Sequence, residues 1–248
     1  MISVNIEYYP YWSLRKKRLI RASFPSSWRE LTAEQLCVVR DVSNNSIPEE
    51  KVLQIFLGIR KRLVSALSAW QRFNILRCLY FLDKVEAVES FIIPRLGRFV
   101  APKPRLAGVT FGQFVFADTY YFSYIQGAKD DLNRLIASFY LDGTFDEYKI
   151  EANAKIISSF PLKTREAIAL NYSLIREWLA QQYIYVFEKP DDEEMAKNQG
   201  KKRQAEWVKI FDNVVGDDVV NADLYAKMEL STAMRYMDRK IKELYKHG

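Results

Sequence analysis

A chain of 248 residues is long enough to bury a substantial core, and its 15 Tyr, 15 Phe and 5 Trp against only 9 Gly and 8 Pro exclude a disordered or collagen-like polymer. The formal charge of +6 is modest for this size, so its placement matters more than its sum. One histidine, His247, leaves no Ser-His or Cys-His pair and no histidine-based metal site for the body of the fold.

The N-terminal residues alternate Ile2, Val4 and Ile6 with polar neighbours, and Leu19 to Phe24 supplies a second run after a basic turn, which predicts a small β-hairpin or sheet edge ended by Pro25. Thr32-Ala-Glu-Gln35 has the spacing of a capping box, so a helix is expected from Ala33. Ser46-Ile-Pro-Glu49 reads as a second box, with proline in the first turn, ahead of Val52, Ile55, Phe56 and Ile59. From Ser65 to Ile93 the apolar positions predict a long helix, broken at most once, that Pro94 stops. Residues 94–109 hold Pro94, Pro102 and Pro104 without an amphipathic period and read as an exposed loop. Thr110-Phe-Gly-Gln113 is a third box, opening an aromatic helix that stops near Gly127. Further helices are expected over 129–140, 151–159 and 164–187, then a charged linker at 188–205, and two more helices in 206–248. The fold class is therefore mainly α: an extended arm (1–24), a multi-helix core (25–187), a linker (188–205) and a C-terminal helical appendage (206–248).

Chemistry is hard to find in this chain. Gly200-Lys201 lacks the preceding glycine and following hydroxyl of a P-loop, and no Gly-x-Gly-x-x-Gly is present. Cys37 and Cys78 lie in helical, apolar patterns at a spacing that suits neither a redox pair nor zinc, so both are expected as buried core thiols in a reducing compartment. The carboxylates that could pair are Asp118, Asp130, Asp131, Asp142, Asp146 and Glu147, of which Asp118, on the aromatic helix, is the hardest to explain as a cap or turn residue. No catalytic residue, cofactor or metal is expected. Without a leader or an apolar run of spanning length, the chain is expected to be soluble and cytosolic, with no membrane partner.

Positive charge gathers in three groups outside the strongest helical patterns. They are Arg15, Lys16, Lys17, Arg18 and Arg21; Arg95, Arg98, Lys103 and Arg105; and Lys197, Lys201, Lys202 and Arg203. Each is a solvated surface, a contact for acidic partners, or a site for phosphates, which need only dense charge and would bind DNA without sequence preference. Tyr8, Tyr9, Tyr11 and Trp12 precede the first group as packing or stacking residues. On the aromatic helix the rings surround the axis, so one face, carried by Tyr120, Tyr121 and Tyr124, should meet another element or another subunit.

Phe24-Pro-Ser-Ser-Trp-Arg-Glu-Leu-Thr-Ala-Glu-Gln35 resembles the Pro-x-x-Trp-x-Glu-Leu-Thr-x-x-Gln opening of phage and prophage proteins of Bacteroidetes. Thr110-Phe-Gly-Gln-Phe with Ala117-Asp-Thr-Tyr120 is similar to their middle segment, Arg165-Glu-Ala-Ile-Ala-Leu with Phe187 to their long late helix, and Trp207 with 224–244 to their C-terminal part. The resemblance implies a non-enzymatic role in virion morphogenesis, at a head–tail ring or collar or in tail assembly. The implied partners are copies of the chain itself and other phage structural proteins, in the host cytoplasm during assembly and then in the virion. Three alternatives stand beside it: a nucleic-acid-binding module built on the basic groups, a tail-assembly chaperone that leaves the particle, and a carboxylate-dependent enzyme centred on Asp118.

Overall fold

The computed structural model describes residues 1–8, 16–187, 207 and 222–247. Arg15, Tyr9, Tyr11, Trp12, the 188–205 linker with its third basic group, and most of the first expected C-terminal helix lie outside the described residues. The fold is mainly α, as the periodicities predict, with ten α-helices and a two-stranded N-terminal hairpin among the described residues. The chain divides into two compact units, Met1–Glu86 and Ala87–Gly248, a boundary that falls inside the stretch 25–187 read as one helical core.

In the first unit, strands β1 (Ile2–Tyr8) and β2 (Arg18–Phe24) pair antiparallel, with Ile2 opposite Phe24, Ile6 opposite Ile20 and Tyr8 opposite Arg18. Ile6, Ala22 and Phe24, which share one face of the hairpin, are buried, while Lys16, Lys17, Arg18, Leu19 and Arg21 are exposed. Trp28 is buried, its indole N–H shared by the carbonyls of Phe81 (3.1 Å) and Lys84 (2.7 Å). Helix α1 (Ala33–Ser43) starts with the expected box: the Gln35 amide N–H donates to Thr32 Oγ1 (3.3 Å), and Gln35 Oε1 accepts from the Thr32 backbone at 2.8 Å. The same Gln35 side chain donates to the Phe56 carbonyl (3.0 Å), tying α1 to helix α2 (Glu49–Leu57).

The second expected box does not form. The Ser46 hydroxyl turns back to the Asp41 carbonyl (3.2 Å), Pro48 occupies the cap position without a side-chain bond, and α2 begins at Glu49. Gly58, in the left-handed region at φ 62°, ends it.

The single long helix expected over 65–93 is a correction. After α3 (Lys61–Val64), Ser68 and Gln71 form a capping box that starts α4 (Ala69–Arg77) afresh. The chain then tightens into a 3₁₀ run over Cys78–Asp83 and becomes extended. From Val85 to Ile93 the chain is neither helix nor strand, and it is tied down by a partner from far along the chain. Asn171 accepts from the Ile92 N–H (2.5 Å) and donates to the Ser90 carbonyl (3.1 Å), while the Val88 N–H reaches the Leu174 carbonyl at 3.2 Å.

The second unit is built on α5 (Phe111–Ile125), α6 (Asp131–Phe139), α7 (Ile150–Ile157) and α8 (Leu162–Gln182), with α9 (Ala222–Lys227) and α10 (Leu230–His247) at its C-terminal end. Its largest buried rings, Phe99, Phe114, Phe139, Tyr140 and Tyr172, come from across this length. The expected exposed loop at 94–109 carries structure: β3 (Arg95–Leu96) pairs with β4 (Phe99–Val100), Val100 bridges to Leu141, and Leu96, Phe99, Leu106 and Val109 are buried. Gly97, at φ 61°, makes this turn against the Phe160 ring, where an added Cβ would lie 2.9 Å from the ring edge. Thr110 caps α5 through the Gln113 backbone N–H (3.2 Å), without the reciprocal half of a box, and the buried Gln113 side chain donates to the Ser138 carbonyl at 2.8 Å. The C-terminal helices are seated on the start of α5, through Phe111 N–H to the Met228 carbonyl (2.8 Å) and Leu230 N–H to the Val109 carbonyl (2.9 Å). Cys37 and Cys78 are half-buried, less enclosed than the core thiols expected. Among the described residues no helix is long and apolar enough to cross a membrane.

Candidate functional site

Asp118 is the first residue to place, because the sequence singles it out among the carboxylates. It lies on α5 with no exposed surface, and three side chains close over it. Oδ1 accepts from the Tyr172 hydroxyl (2.8 Å) and from Arg176 Nε (2.7 Å), both on α8, and Oδ2 accepts from the Trp207 indole N–H at 2.7 Å. Arg176 lies over the Phe122 ring at 4.4 Å and the Phe187 ring at 5.5 Å, and Trp207 meets Phe111, Phe114 and Phe187 edge-on. Burial pushes the Tyr172 phenol well above its ordinary range, and the neighbouring carboxylate adds to that shift. Burial opposes the Arg176 charge, yet Asp118 outweighs it and raises the guanidinium further.

A general base or nucleophile must reach a substrate, and this carboxylate has each oxygen occupied and no open face. The arrangement is a polar strut inside an aromatic box, fastening α5, α8 and Trp207 to one another. Three of the other candidate acids are also engaged. Asp131 is paired with Arg134 (2.6 Å), Asp142 with Arg98 (3.3 Å), and Asp146 accepts from the Tyr148 N–H at 3.1 Å. Among the described residues no group of three or more His, Cys, Asp or Glu is placed to hold a metal.

The basic groups are divided between the units. Lys16, Lys17, Arg18 and Arg21 are exposed at the distal end of the hairpin, with Lys17 3.3 Å from Glu7. Of the second group, Arg98 faces Asp142 and Arg105 is held by Glu89 at 2.7 Å, its own backbone at φ 63°, while Arg95 and Lys103 are exposed. The tyrosines expected at an interface, Tyr120, Tyr121 and Tyr124, are all half-buried. Tyr121 packs edge-on against Tyr172 and Phe122, inside the unit rather than outside it.

The exposed aromatic surface lies elsewhere, on α4, in the segment expected from the sequence as part of one long helix. Ile75 and Leu79 turn inward, while Trp70 is 69% exposed, Phe73 53% and Tyr80, just beyond the helix, 62%. Trp70 and Phe73 stack at 6.1 Å, and Arg77 lies over Phe73 at 5.8 Å, so three consecutive turns present ring, ring and guanidinium on one face. Beside them runs a groove of about 410 Å³ lined by Glu49, Leu67, Ala69, Arg72, Phe73 and Leu76. The sequence did contain a signal: Trp70, Phe73, Arg77 and Tyr80 share one stripe while Ile75 and Leu79 form a second, and a short helix that is apolar on two sides has more faces than one core can cover. A solitary exposed ring needs no explanation, whereas a stacked pair beside an apolar groove and an arginine is the composition of a binding hot spot.

Comparison with protein-family models, with curated proteins and with solved structures returned no match to this chain.

Proposed function

We propose that this protein is a non-enzymatic assembly component of a phage-type particle that works by binding neighbouring proteins, its own copies among them, at the head–tail junction, collar or tail. The observation that carries the protein-binding part is the α4 face, where Trp70 and Phe73 stay in water although burying them would be favourable. Two large rings left exposed forgo several kcal/mol of transfer free energy, roughly 1.5–3 kcal/mol each, which a partner could recover. The absence of chemistry in the reading rests on Asp118, which is fully buried and bonded to Tyr172, Arg176 and Trp207. The particle itself is inferred from the motif resemblance around Trp28, Thr110 and Trp207.

Non-specific DNA contact draws less support, because Asp142 and Glu89 stand against two of the four cations in the second basic group. The test is solution mass by light scattering at low and high salt, alone, with other structural proteins of the same particle, and with duplex DNA. A protein complex that survives high salt and ignores DNA is the expected result. A species that grows only with DNA at low salt would overturn the reading.

A further inference from the structure

Building on that reading, the geometry points to the kind of partner the α4 face takes: we infer that it docks an acidic amphipathic segment of another protein, with apolar side chains in the groove and carboxylates against the arginines. The apolar half of the argument is shape. Leu67, Ala69 and Leu76 give the groove an aliphatic wall, and Phe73 with Trp70 makes an aromatic rim, the form in which a helix or turn lodges one or two anchoring side chains.

The charged half is complementarity. Residues 51–82 contain Lys51, Arg60, Lys61, Arg62, Arg72 and Arg77 and no Asp or Glu, a concentration of cations that the three-group reading of the sequence passes over. Glu50, which precedes this stretch, is 3.8 Å from Lys61, so its charge is already faced by a cation. Arg72 lines the groove and Arg77 covers Phe73, which places two guanidinium groups where a docked segment would run. A partner bearing carboxylates there gains forked, charge-assisted hydrogen bonds, whereas a basic partner meets repulsion. A nucleic acid fits the groove less well, because the aliphatic wall of Leu67, Ala69 and Leu76 offers nothing to a base edge or a phosphate.

The experiment is selection of a random peptide library on the full chain, with a Trp70→Ala/Phe73→Ala variant for counter-selection. Selected peptides are then titrated calorimetrically against wild type, R72E and R77E. Enriched sequences should pair Leu, Phe or Trp with a surplus of Asp and Glu, and should lose about tenfold or more in affinity on R77E, with similar losses in high salt. R77E changes an exposed side chain, so it keeps the test sharp even where R72E perturbs the fold.

Peptides that need Trp70 yet carry no acidic surplus would overturn the inference and leave the protein-binding reading intact. Trp70-dependent binding of an oligothymidylate in preference to every peptide would overturn it in favour of single-stranded nucleic acid. Self-association abolished by the double variant would overturn it in favour of a second copy. If no peptide, oligonucleotide or second copy depends on Trp70, both the inference and the reading fall.

Discussion

Two clusters in this protein are made from the same parts. Around Asp118 a tryptophan, an arginine and several phenylalanines are packed together without exposed carboxylate, and on α4 a tryptophan, an arginine and a phenylalanine are stacked in water. The difference is the acid. Arg176 can be largely buried because Asp118 travels into the interior with it, while Arg77 sits on an acid-free stretch and keeps its hydration. Residue types therefore do not separate a structural aromatic box from a recognition face. The location of the counter-charge does, and for α4 that counter-charge is the one a partner would supply.

The sharpest way to break this contrast is to remove the acid from the first cluster. Asp118→Ala leaves a buried guanidinium and two unpaired donors, and should cost about 3–5 kcal/mol in urea unfolding. A loss under 1 kcal/mol would show that the box is not a structural strut. Trp207→Ala removes a buried ring and one of the three donors, with an expected loss of about 3–4 kcal/mol and weakened protection of α9 and α10 in hydrogen exchange. Thr32→Ala, which deletes the α1 cap, should cost about 1 kcal/mol without altering any binding.

At the small end, Trp70→Ala or Phe73→Ala should change stability by less than about 0.5 kcal/mol while abolishing partner binding, the reverse of the Trp207 pattern. Should either variant melt substantially earlier than wild type, α4 would belong with the core instead.

The tyrosines add a dependence on pH. Tyr140 and Tyr172 are held neutral by burial, so their folded pKa values lie above the ordinary 10.0. Stability from this source is complete below pH 10 and declines as the pH rises from there toward the folded values. In an alkaline titration their phenolate absorbance should appear only together with unfolding.

What the sequence made legible was local. Thr32 and Thr110 lie directly before the helices they cap, and the hairpin follows from alternation over a few residues. Ser68-Ala-Trp-Gln71 has the same pattern and was overrun by the apolar spacing on either side of it. Gln113 shows the limit of such patterns, since its side chain is buried and serves the Ser138 carbonyl, 25 residues on, without closing the box. Asp118 stood out on chemical grounds, but its partners come from 54, 58 and 89 positions away, beyond any spacing argument. The non-helical run after Glu86 is likewise held by Asn171, 79 residues beyond Ile92.

The 89-residue reach from Asp118 to Trp207 also sets an order of events while the chain is being made. Everything Met1–Glu86 needs for its own contacts has left the ribosome well before Trp207 is translated, so that unit can fold early. The Ala87–Gly248 unit must wait. Until residue 207 emerges, Asp118 lacks one donor and Phe111, Phe114 and Phe187 lack the ring they enclose, so the nascent second unit presents unfinished apolar surface through most of its synthesis.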